Sequence, residues 1–345
     1  MNDQALFVGE PCYDILAANM KPKLSFDKAR DTAPWKLSLK EKLLQLMGMP
    51  EIEKNKAPSL NLQIEGEEKR EGYTRIRFTV ESEIECHVPC SLFVPDTGKE
   101  KYPVAIILRG HVSESDYRGE YYALKDSAEQ LTLARGEEAV KNGYIALCVE
   151  ERGTGARAPR TRYRNTPGCQ YVGMVAIMLG RTIVGERVFD LERAIDALSH
   201  FPQCDTDRVL VTGHATGGTT AYYAACCDER IKLCVVSNGF APYGTSVLDR
   251  MHCHCNVIPA AYQYFDMQDL SALIAPRPLA VISGKLDEFS PIEGVRGGFE
   301  TVRAIFEAQK APNACRMIET ETGKEWCADT VWSTISAEAE GLGWK

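Results

Sequence analysis

The sequence predicts an α/β fold: a doubly wound, mostly parallel sheet with helices on both faces. The main observation is that short apolar runs typical of buried strands alternate with helical periodicity from residue 104 onward. The predicted strands are 104–108, 144–149, 209–212, 233–236 and 279–283, and the predicted helices include 183–198, 217–227 and 293–309. A period of two at 73–80, followed by a second run at 88–94, predicts an antiparallel pair before these elements.

The N-terminal part of the chain has a different pattern. Apolar residues recur with helical spacing from Leu37 to Met47, and Gly48 followed by Pro50 predicts the end of that helix. This segment is too short to bury a core of its own, so it should pack on the main body. We therefore expect a helical extension over residues 1–70 and an α/β domain over residues 71–345.

Composition excludes several classes of protein. The chain has 345 residues, of which 44% are hydrophobic and 26% charged, as in ordinary soluble globular proteins and unlike disordered or collagen-like chains. The net charge of −8 argues against nucleic acid or an anionic membrane as the main partner. No apolar run reaches membrane-spanning length, and the opening residues lack the features of a signal peptide. The 13 scattered cysteines favour reduced thiols and a cytoplasmic location.

One glycine-rich turn has the spacing of a catalytic motif. Residues 213–218, Gly-His-Ala-Thr-Gly-Gly, lie where a predicted strand gives way to a predicted helix. This is the setting of the nucleophile elbow G-x-S-x-G, in which the central side chain stands on a strained turn at the end of the strand. The glycines are needed because strand and helix approach too closely for Cβ atoms. The central residue here is Ala215, so the elbow is present and its nucleophile is missing.

Further segments, taken together and in order, carry a family resemblance. They are 80–83, 88–95, Leu108–His111 in place of an L-H-G-H loop, Glu151–Gly155 in place of an R-G-x-G turn, 179–182, 185–190, 228–232, 264–267 and 273–279. With these motifs the chain resembles the α/β-hydrolases, specifically the branch of dienelactone-hydrolase-like and acetyl-xylan-esterase-like proteins. The likeness extends from about residue 70 to the C-terminus.

The resemblance implies a catalytic triad in the chain order Ser, Asp, His. Asp287, after the strand 279–283, takes the place of the triad acid. The histidine should stand in a loop before the last helix, where the chain has Lys324 instead, and no histidine follows His254. Acyl transfer needs a nucleophile and a base within hydrogen-bond reach, and the methyl group of Ala215 supplies neither. The standard mechanism is therefore disabled in this chain.

The resemblance also implies an oxyanion hole and pocket residues. The backbone N–H of Thr216, with one near His111 or Val112, would form the hole. His214 lies inside the elbow, and His111 is expected to touch ligand.

The segment 251–255, Met-His-Cys-His-Cys, contains four residues that can bind metals. Because neighbouring residues alternate faces, only His252 with His254, or Cys253 with Cys255, would share an ion. No second pair of ligands stands out. We therefore assign the segment to the pocket lining, with His252 as a binding candidate, and predict no metal and no cofactor.

A group of arginines lies at the edge of the sheet where ligands bind in this architecture. One interpretation is ion pairing with Glu150, Glu151, Glu186 and Asp190. The other is that Arg157 or Arg160 grips a ligand carboxylate, such as that of a uronic acid. Trp326 either packs under the loop that contains Lys324 or stacks on a sugar ring.

The functional hypothesis is carboxylic-ester hydrolase ancestry, with a small acyl or carbohydrate-type ester, in some cases acidic, as ligand. One alternative is a non-hydrolytic member, either a ligand-binding pseudoenzyme or a lyase or isomerase that uses Asp287, Glu150 or Glu151 for proton transfer. Another is an engineered Ser-to-Ala variant of an active esterase. Self-association into a homo-oligomer and replacement of the lost base by His252 or His254 also stay open.

Overall fold

A computed structural model describes residues 10–111, 121–159 and 168–344. The strands are β1 (Gln63–Arg70), β2 (Tyr73–Glu83), β3 (Cys86–Pro95), β4 (Tyr102–Leu108), β5 (Ile145–Val149), β6 (Cys204–His214), β7 (Ile231–Ser237), β8 (Leu279–Gly284) and β9 (Cys315–Thr320). The helices are α1 (Glu10–Asn19), α2 (Thr32–Met47), α3 (Met49–Glu53), α4 (Tyr121–Lys141), α5 (Gly168–Met178), α6 (Ile183–Ala197), α7 (Thr216–Cys227), α8 (Ser271–Ile274), α9 (Ile292–Ala308) and α10 (Ala328–Gly341).

The nine strands form one sheet in the order β1-β2-β3-β5-β4-β6-β7-β8-β9. Strands β1, β2 and β3 pair antiparallel, as do β3 and β5. All pairs from β5 through β4 to β9 are parallel. The predicted architecture, a mostly parallel sheet preceded by an antiparallel pair of strands, is confirmed. The parallel strands all end at one edge, so the loops that follow them meet there.

Alternation along the central strands buries both faces of the sheet. In β4, Val104 and Ile106 belong to one core cluster, whereas Ala105 and Ile107 belong to the other. Helices α2, α6, α7 and α9 contribute buried side chains to the first cluster, and α4 and α10 to the second. This is the arrangement expected of strands that read as continuous apolar runs, because helices cover them on both sides.

The N-terminal extension packs on the first face through α2. Its buried residues, spaced at helical intervals, are Trp35, Leu39, Leu43 and Met47. Gly48 ends the helix in the left-handed region at φ 77°, and its N–H bonds the carbonyls of Leu44 and Gln45. A Cβ at Gly48 would lie 2.6 Å from the Cα of Arg181, so this position needs glycine for space as well as for conformation.

Several elements were not expected from the sequence. Strand β1 lies within the region expected to be helical and pairs with β2, so the sheet begins before residue 71. Strand β9 and helix α5 were also not predicted, nor were the short helices α3 and α8. In the described residues, no helix combines the length and the apolar composition needed to cross a bilayer.

Candidate active site

The elbow lies at the carboxyl edge of the sheet, between β6 and α7. Ala215 has φ 52° and ψ −119°, a conformation that L-residues rarely adopt. Its N–H donates to the Ser237 carbonyl at 2.9 Å, and its carbonyl accepts from the Thr219 N–H at 2.9 Å. The neighbouring strand and the helix thus hold the backbone in the position that presents a nucleophile, although the side chain is a methyl group.

Two glycines of the motif allow the close packing behind the elbow. A Cβ at Gly213 would lie 2.3 Å from the Gly217 carbonyl oxygen, and a Cβ at Gly217 would lie 2.3 Å from the Leu108 carbonyl oxygen. Neither position tolerates a side chain without a shift of backbone. The steric reason for the glycines in the motif is therefore intact.

Ala215 lines a small cavity of about 30 Å³ that also contacts His252, Cys253, Asn256 and Lys324. That volume holds roughly one water molecule. The segment 252–256, which we call the covering loop, lies over the elbow, and Thr219 Oγ1 donates to Asn256 Oδ1 at 2.8 Å. Among the described residues, this cavity is too small for a ligand of sugar size.

Asp287 and Lys324 are the residues to which the resemblance assigns the positions of the triad acid and the triad base. Asp287 follows β8 and is 4% exposed; its Oδ1 accepts from the Phe289 N–H at 2.9 Å, while Oδ2 has no hydrogen-bond partner among the described residues. Lys324 stands between β9 and α10, with Nζ 4.3 Å from the centre of the Phe289 ring. Burial lowers the pKa of Lys324, and the charge of Asp287 partly opposes that shift. Lys324 therefore lies near enough to Asp287 for the two charges to interact.

His252 belongs to a hydrogen-bonded chain beside the cavity. Its Nε2 is 2.9 Å from Ser246 Oγ, and its Nδ1 is 3.4 Å from Asn256 Nδ2. Because the Ser246 hydroxyl donates to the Phe289 carbonyl, His252 Nε2–H is the donor to Ser246, and Nδ1 accepts from Asn256. Burial lowers the pKa of His252. Both ring nitrogens are therefore engaged in holding the covering loop.

His214 and Trp326 pack behind the site. The two rings meet edge to face with centroids 6.0 Å apart, and Trp326 Nε1 donates to Glu138 Oε2 at 3.0 Å. The Arg135 guanidinium lies 4.1 Å from the centre of the Trp326 ring. Burial, and secondly the charge of Arg135, lowers the pKa of His214 to about 4. These contacts support packing under the loop as the role of Trp326.

Of the residues expected to form the oxyanion hole, Thr216 and His111 are among the described residues. Thr216 opens α7, and the first N–H groups of a helix have no acceptor within the helix. The N–H of Gly110, in contrast, donates to Glu151 Oε2 at 3.2 Å. Val112 lies outside the described residues. The His111 side chain, expected to touch ligand, instead places Nε2 3.2 Å from the Cys169 sulfur.

His111, Cys169, Cys253 and Cys255 form a compact group, which we call the thiol–imidazole cluster. One ligand atom from each of the four residues lies within 4.8 Å of the other three. The sequence contains Cys253-x-Cys255 as one pair of candidate ligands, and no second pair stands out in it. The missing donors were His111, assigned to the oxyanion loop, and Cys169, which belongs to no recognised motif. No local spacing joins these three segments, so only the fold reveals the cluster.

The arginines that the sequence singled out form an ion-pair network. Arg157 Nη1 donates to Asp190 Oδ2 at 2.7 Å and to the Glu150 carbonyl at 3.1 Å. Arg152 also binds Asp190, with Nε 2.7 Å from Oδ2, and pairs with Glu186 at 3.2 Å. The ion pairing considered for this group is thus present. The structure gives Arg157 a place in the network, and its guanidinium is not available to a ligand carboxylate. Arg160 lies outside the described residues.

Comparisons with known proteins agree with this architecture. A family model described as the Abhydrolase family matches residues 10–322. YtaP of Bacillus subtilis (strain 168), provisionally named a hydrolase, is 24% identical over 239 residues, which are 68% of this chain and 77% of that protein.

Two solved structures show the same fold at low sequence identity. A protein of Bacteroides fragilis NCTC 9343, provisionally described as an acetyl xylan esterase, superposes with a TM-score of 0.73 at 18% identity, covering 91% of this chain and 82% of that one. A glucuronoyl esterase from Solibacter usitatus gives 0.66 at 16% identity, covering 94% and 99%. With the family match extending over most of its length, the chain belongs to the Abhydrolase family, the α/β-hydrolases.

Proposed function

We propose that this protein binds a small acyl or carbohydrate-type ester in a pocket inherited from an esterase and does not cleave it by the Ser-His-Asp route. The observation that carries the proposal is Ala215, whose backbone keeps the elbow conformation while its side chain has no nucleophilic atom. The structural neighbours described as acetyl xylan and glucuronoyl esterases support the ligand class.

The proposal places the ester carbonyl at the N-terminal end of α7. That helix begins at Thr216, beside Ala215, and its first N–H groups and the positive end of its dipole point out of this end. Such donors stabilise negative charge on a carbonyl oxygen. No acyl-enzyme can form at position 215, because a methyl carbon has no lone pair to attack the carbonyl. Bound ester would therefore be held with its carbonyl polarised and would be released intact.

Ligand entry requires movement of the covering loop. The cavity beside Ala215 has about 30 Å³, which is far below the 300 Å³ or so of a typical small-molecule site. The contact between Thr219 and Asn256 closes it. Binding must therefore break this hydrogen bond and move Asn256 away from the elbow.

The structure weakens the proton-transfer alternative. Glu151 accepts from Thr220 Oγ1 at 2.8 Å and pairs with Arg187 at 3.4 Å. Glu150 pairs with Arg109. Both carboxylates are committed to internal partners, so a lyase or isomerase mechanism would depend on Asp287.

The test is restoration of hydrolysis. We would compare p-nitrophenyl acetate turnover by the unmodified chain, by Ala215→Ser, and by Ala215→Ser combined with Lys324→His. Ala241→Ser is the matched control, because Ala241 lines the same cavity away from the elbow. We expect the unmodified chain and the control to stay at background, and the double variant to gain about 10²-fold or more over Ala215→Ser, since general-base catalysis contributes at least that much.

Two results would overturn the proposal. One is efficient hydrolysis by the unmodified chain, with an acyl group trapped on another side chain. The other is the absence of any heat of binding when acetylated xylo-oligosaccharides are titrated into the unmodified chain, together with no gain in the double variant. Turnover of Ala215→Ser equal to that of the double variant would show that a base survives. Loss of that turnover on adding His252→Ala would identify the base as His252.

A further inference from the structure

We propose that His111, Cys169, Cys253 and Cys255 bind one zinc ion in a closed structural site that fastens the covering loop to the body of the protein. The proposal does not depend on the proposed function, because it concerns residues that hold the loop and not the reaction at position 215. It also departs from the expectation that the protein binds no metal.

Five of the six distances between the donor atoms lie within about 1 Å of those in a tetrahedral zinc site. His111 Nε2 lies 3.2, 3.9 and 3.6 Å from the sulfurs of Cys169, Cys253 and Cys255. The sulfur of Cys253 lies 2.9 Å from that of Cys169 and 3.4 Å from that of Cys255. Zinc bonds of about 2.3 Å to sulfur and 2.0 Å to nitrogen require edges of roughly 3.5–3.8 Å between donors. Shifts of less than about 1 Å would therefore complete the coordination shell.

The chemistry of the donor set selects zinc. Three thiolates with one imidazole is a standard ligand set of structural zinc sites, and soft sulfur ligands exclude magnesium and calcium. All four positions of a tetrahedral ion are filled by protein, which leaves none for water or substrate. The site is therefore structural, and it offers no metal-bound hydroxide to replace the missing nucleophile.

The surrounding packing holds two of the ligand segments together. A Cβ at Gly153 would lie 2.7 Å from the Cα of Cys169, so the turn after β5 fixes the start of α5. One further turn along α5, a Cβ at Gly173 would lie 2.5 Å from the Cβ of His254. Helix α5 thus contacts the covering loop directly, and Cys169 and Cys255 are 2% and 1% exposed.

A buried positive charge balances the site. Zinc with three thiolates and a neutral imidazole carries one negative charge, which is costly to bury without a counterion. The Arg187 side chain is 1% exposed and pairs with Glu151. Arg187 lies on α6, which packs against both α5 and residues 254–256 of the covering loop. A buried guanidinium on this helix would offset part of the negative charge of the complex.

The consequence would be a metal cross-link between three segments beside the pocket. The ion would join the loop after β4, the first turn of α5 and the covering loop, which are distant in the sequence. It would also hold Asn256, one residue after Cys255, against Thr219. Because the thiols must lose their protons to bind, zinc uptake releases protons.

The first experiment measures metal content. The full chain is purified without chelator, incubated with zinc sulfate, dialysed and analysed by mass spectrometry for metals. We expect about one zinc per chain in the unmodified protein and in Cys315→Ser, whose thiol lies on β9 away from the cluster. The double variant Cys169→Ser/Cys255→Ser should retain at least tenfold less.

A second measurement keeps the test decisive if the double variant does not fold. Cobalt(II) replaces zinc in the unmodified chain, and a tetrahedral site with three thiolates gives intense visible absorption bands that excess zinc abolishes. The proposal is overturned if the unmodified chain holds less than about a tenth of an equivalent of zinc and gives no such bands. A disulfide between Cys169 and Cys253 in protein purified under reducing conditions would also overturn it, as would equal zinc retention by the double variant.

Discussion

Asp190 is the acceptor at the centre of the arginine network, and its replacement by asparagine gives a sharp test of that network. The carboxylate is 2% exposed and accepts four hydrogen bonds. Arg152 donates two, at 2.7 and 2.8 Å, and Arg157 and Ser82 donate one each, at 2.7 and 2.6 Å. Asparagine keeps one acceptor oxygen and turns the other position into a donor that faces guanidinium N–H groups.

The expected cost follows from this geometry. Asp190→Asn loses about two charge-assisted hydrogen bonds at roughly 1.5–3 kcal/mol each and leaves Arg152 with less compensation. Breaking a buried ion pair from one side costs about 3–5 kcal/mol, which agrees with that sum. We therefore expect the free energy of unfolding of Asp190→Asn to fall by about 3–5 kcal/mol at pH 7.

The assay is equilibrium unfolding in urea, followed by the fluorescence of the four tryptophans. Asp249→Asn is the control, because Asp249 pairs with Arg250 at the exposed surface, where loss of the pair should cost less than about 1 kcal/mol. Burial raises the pKa of Asp190, but Arg152 and Arg157 outweigh burial and hold it well below 3.8. The difference in the free energy of unfolding between the variant and the parent should therefore have its full size above pH 3.8 and shrink as the pH falls below that value. The reasoning would be refuted if Asp190→Asn lowered the free energy of unfolding by an amount within about 1 kcal/mol of the loss in Asp249→Asn.

Two further predictions concern a partly buried acid and a close contact. Burial, and secondly the charge of Asp228, raises the pKa of Glu192 from 4.5 to about 7, so the parent loses stability as the pH rises through that window. Glu192→Gln should match the parent near pH 4 and exceed it by about 1–3 kcal/mol at pH 8, and equal thermal midpoints at pH 8 would contradict this. Gly173→Ala should cost about 1–3 kcal/mol, because its methyl group would collide with His254. Gly297→Ala, at an open helical position, should not destabilise, and equal urea midpoints for the two variants would exclude the clash.

The sequence predicted the centre of the sheet well because burial leaves a clear pattern there. Strands β4, β5 and β7 are apolar runs, and each is buried along nearly its whole length. The edge strands carry a weaker signal. Strand β1 is exposed at almost every position and reads as a charged linker, and β9 is only partly buried. Pairing with a neighbour, rather than hydrophobic pattern, makes these segments strands.

The candidate site divides in the same way. The resemblance assigned roles to Ala215 and Asp287 from motifs that follow predicted strands, and to Lys324 from its place before the last helix. The thiol–imidazole cluster was not predicted, because His111 and Cys169 acquire their neighbours only through the packing of α5 and the covering loop. Spacing in the sequence identifies ligands that lie in one segment. It does not identify ligands from distant segments that the fold brings together.

The outer edge of the sheet bears on how the protein behaves at high concentration. An open strand edge offers unpaired backbone groups to a second molecule, which invites polymerisation. Strand β1 carries Glu65, Glu67, Glu68, Lys69 and Arg70 along its exposed length, with an irregularity in its pairing at Ile64 to Gly66. A strand of a second molecule that paired with β1 would have to desolvate these charges and follow an irregular backbone. Growth of fibrils from this edge is therefore disfavoured.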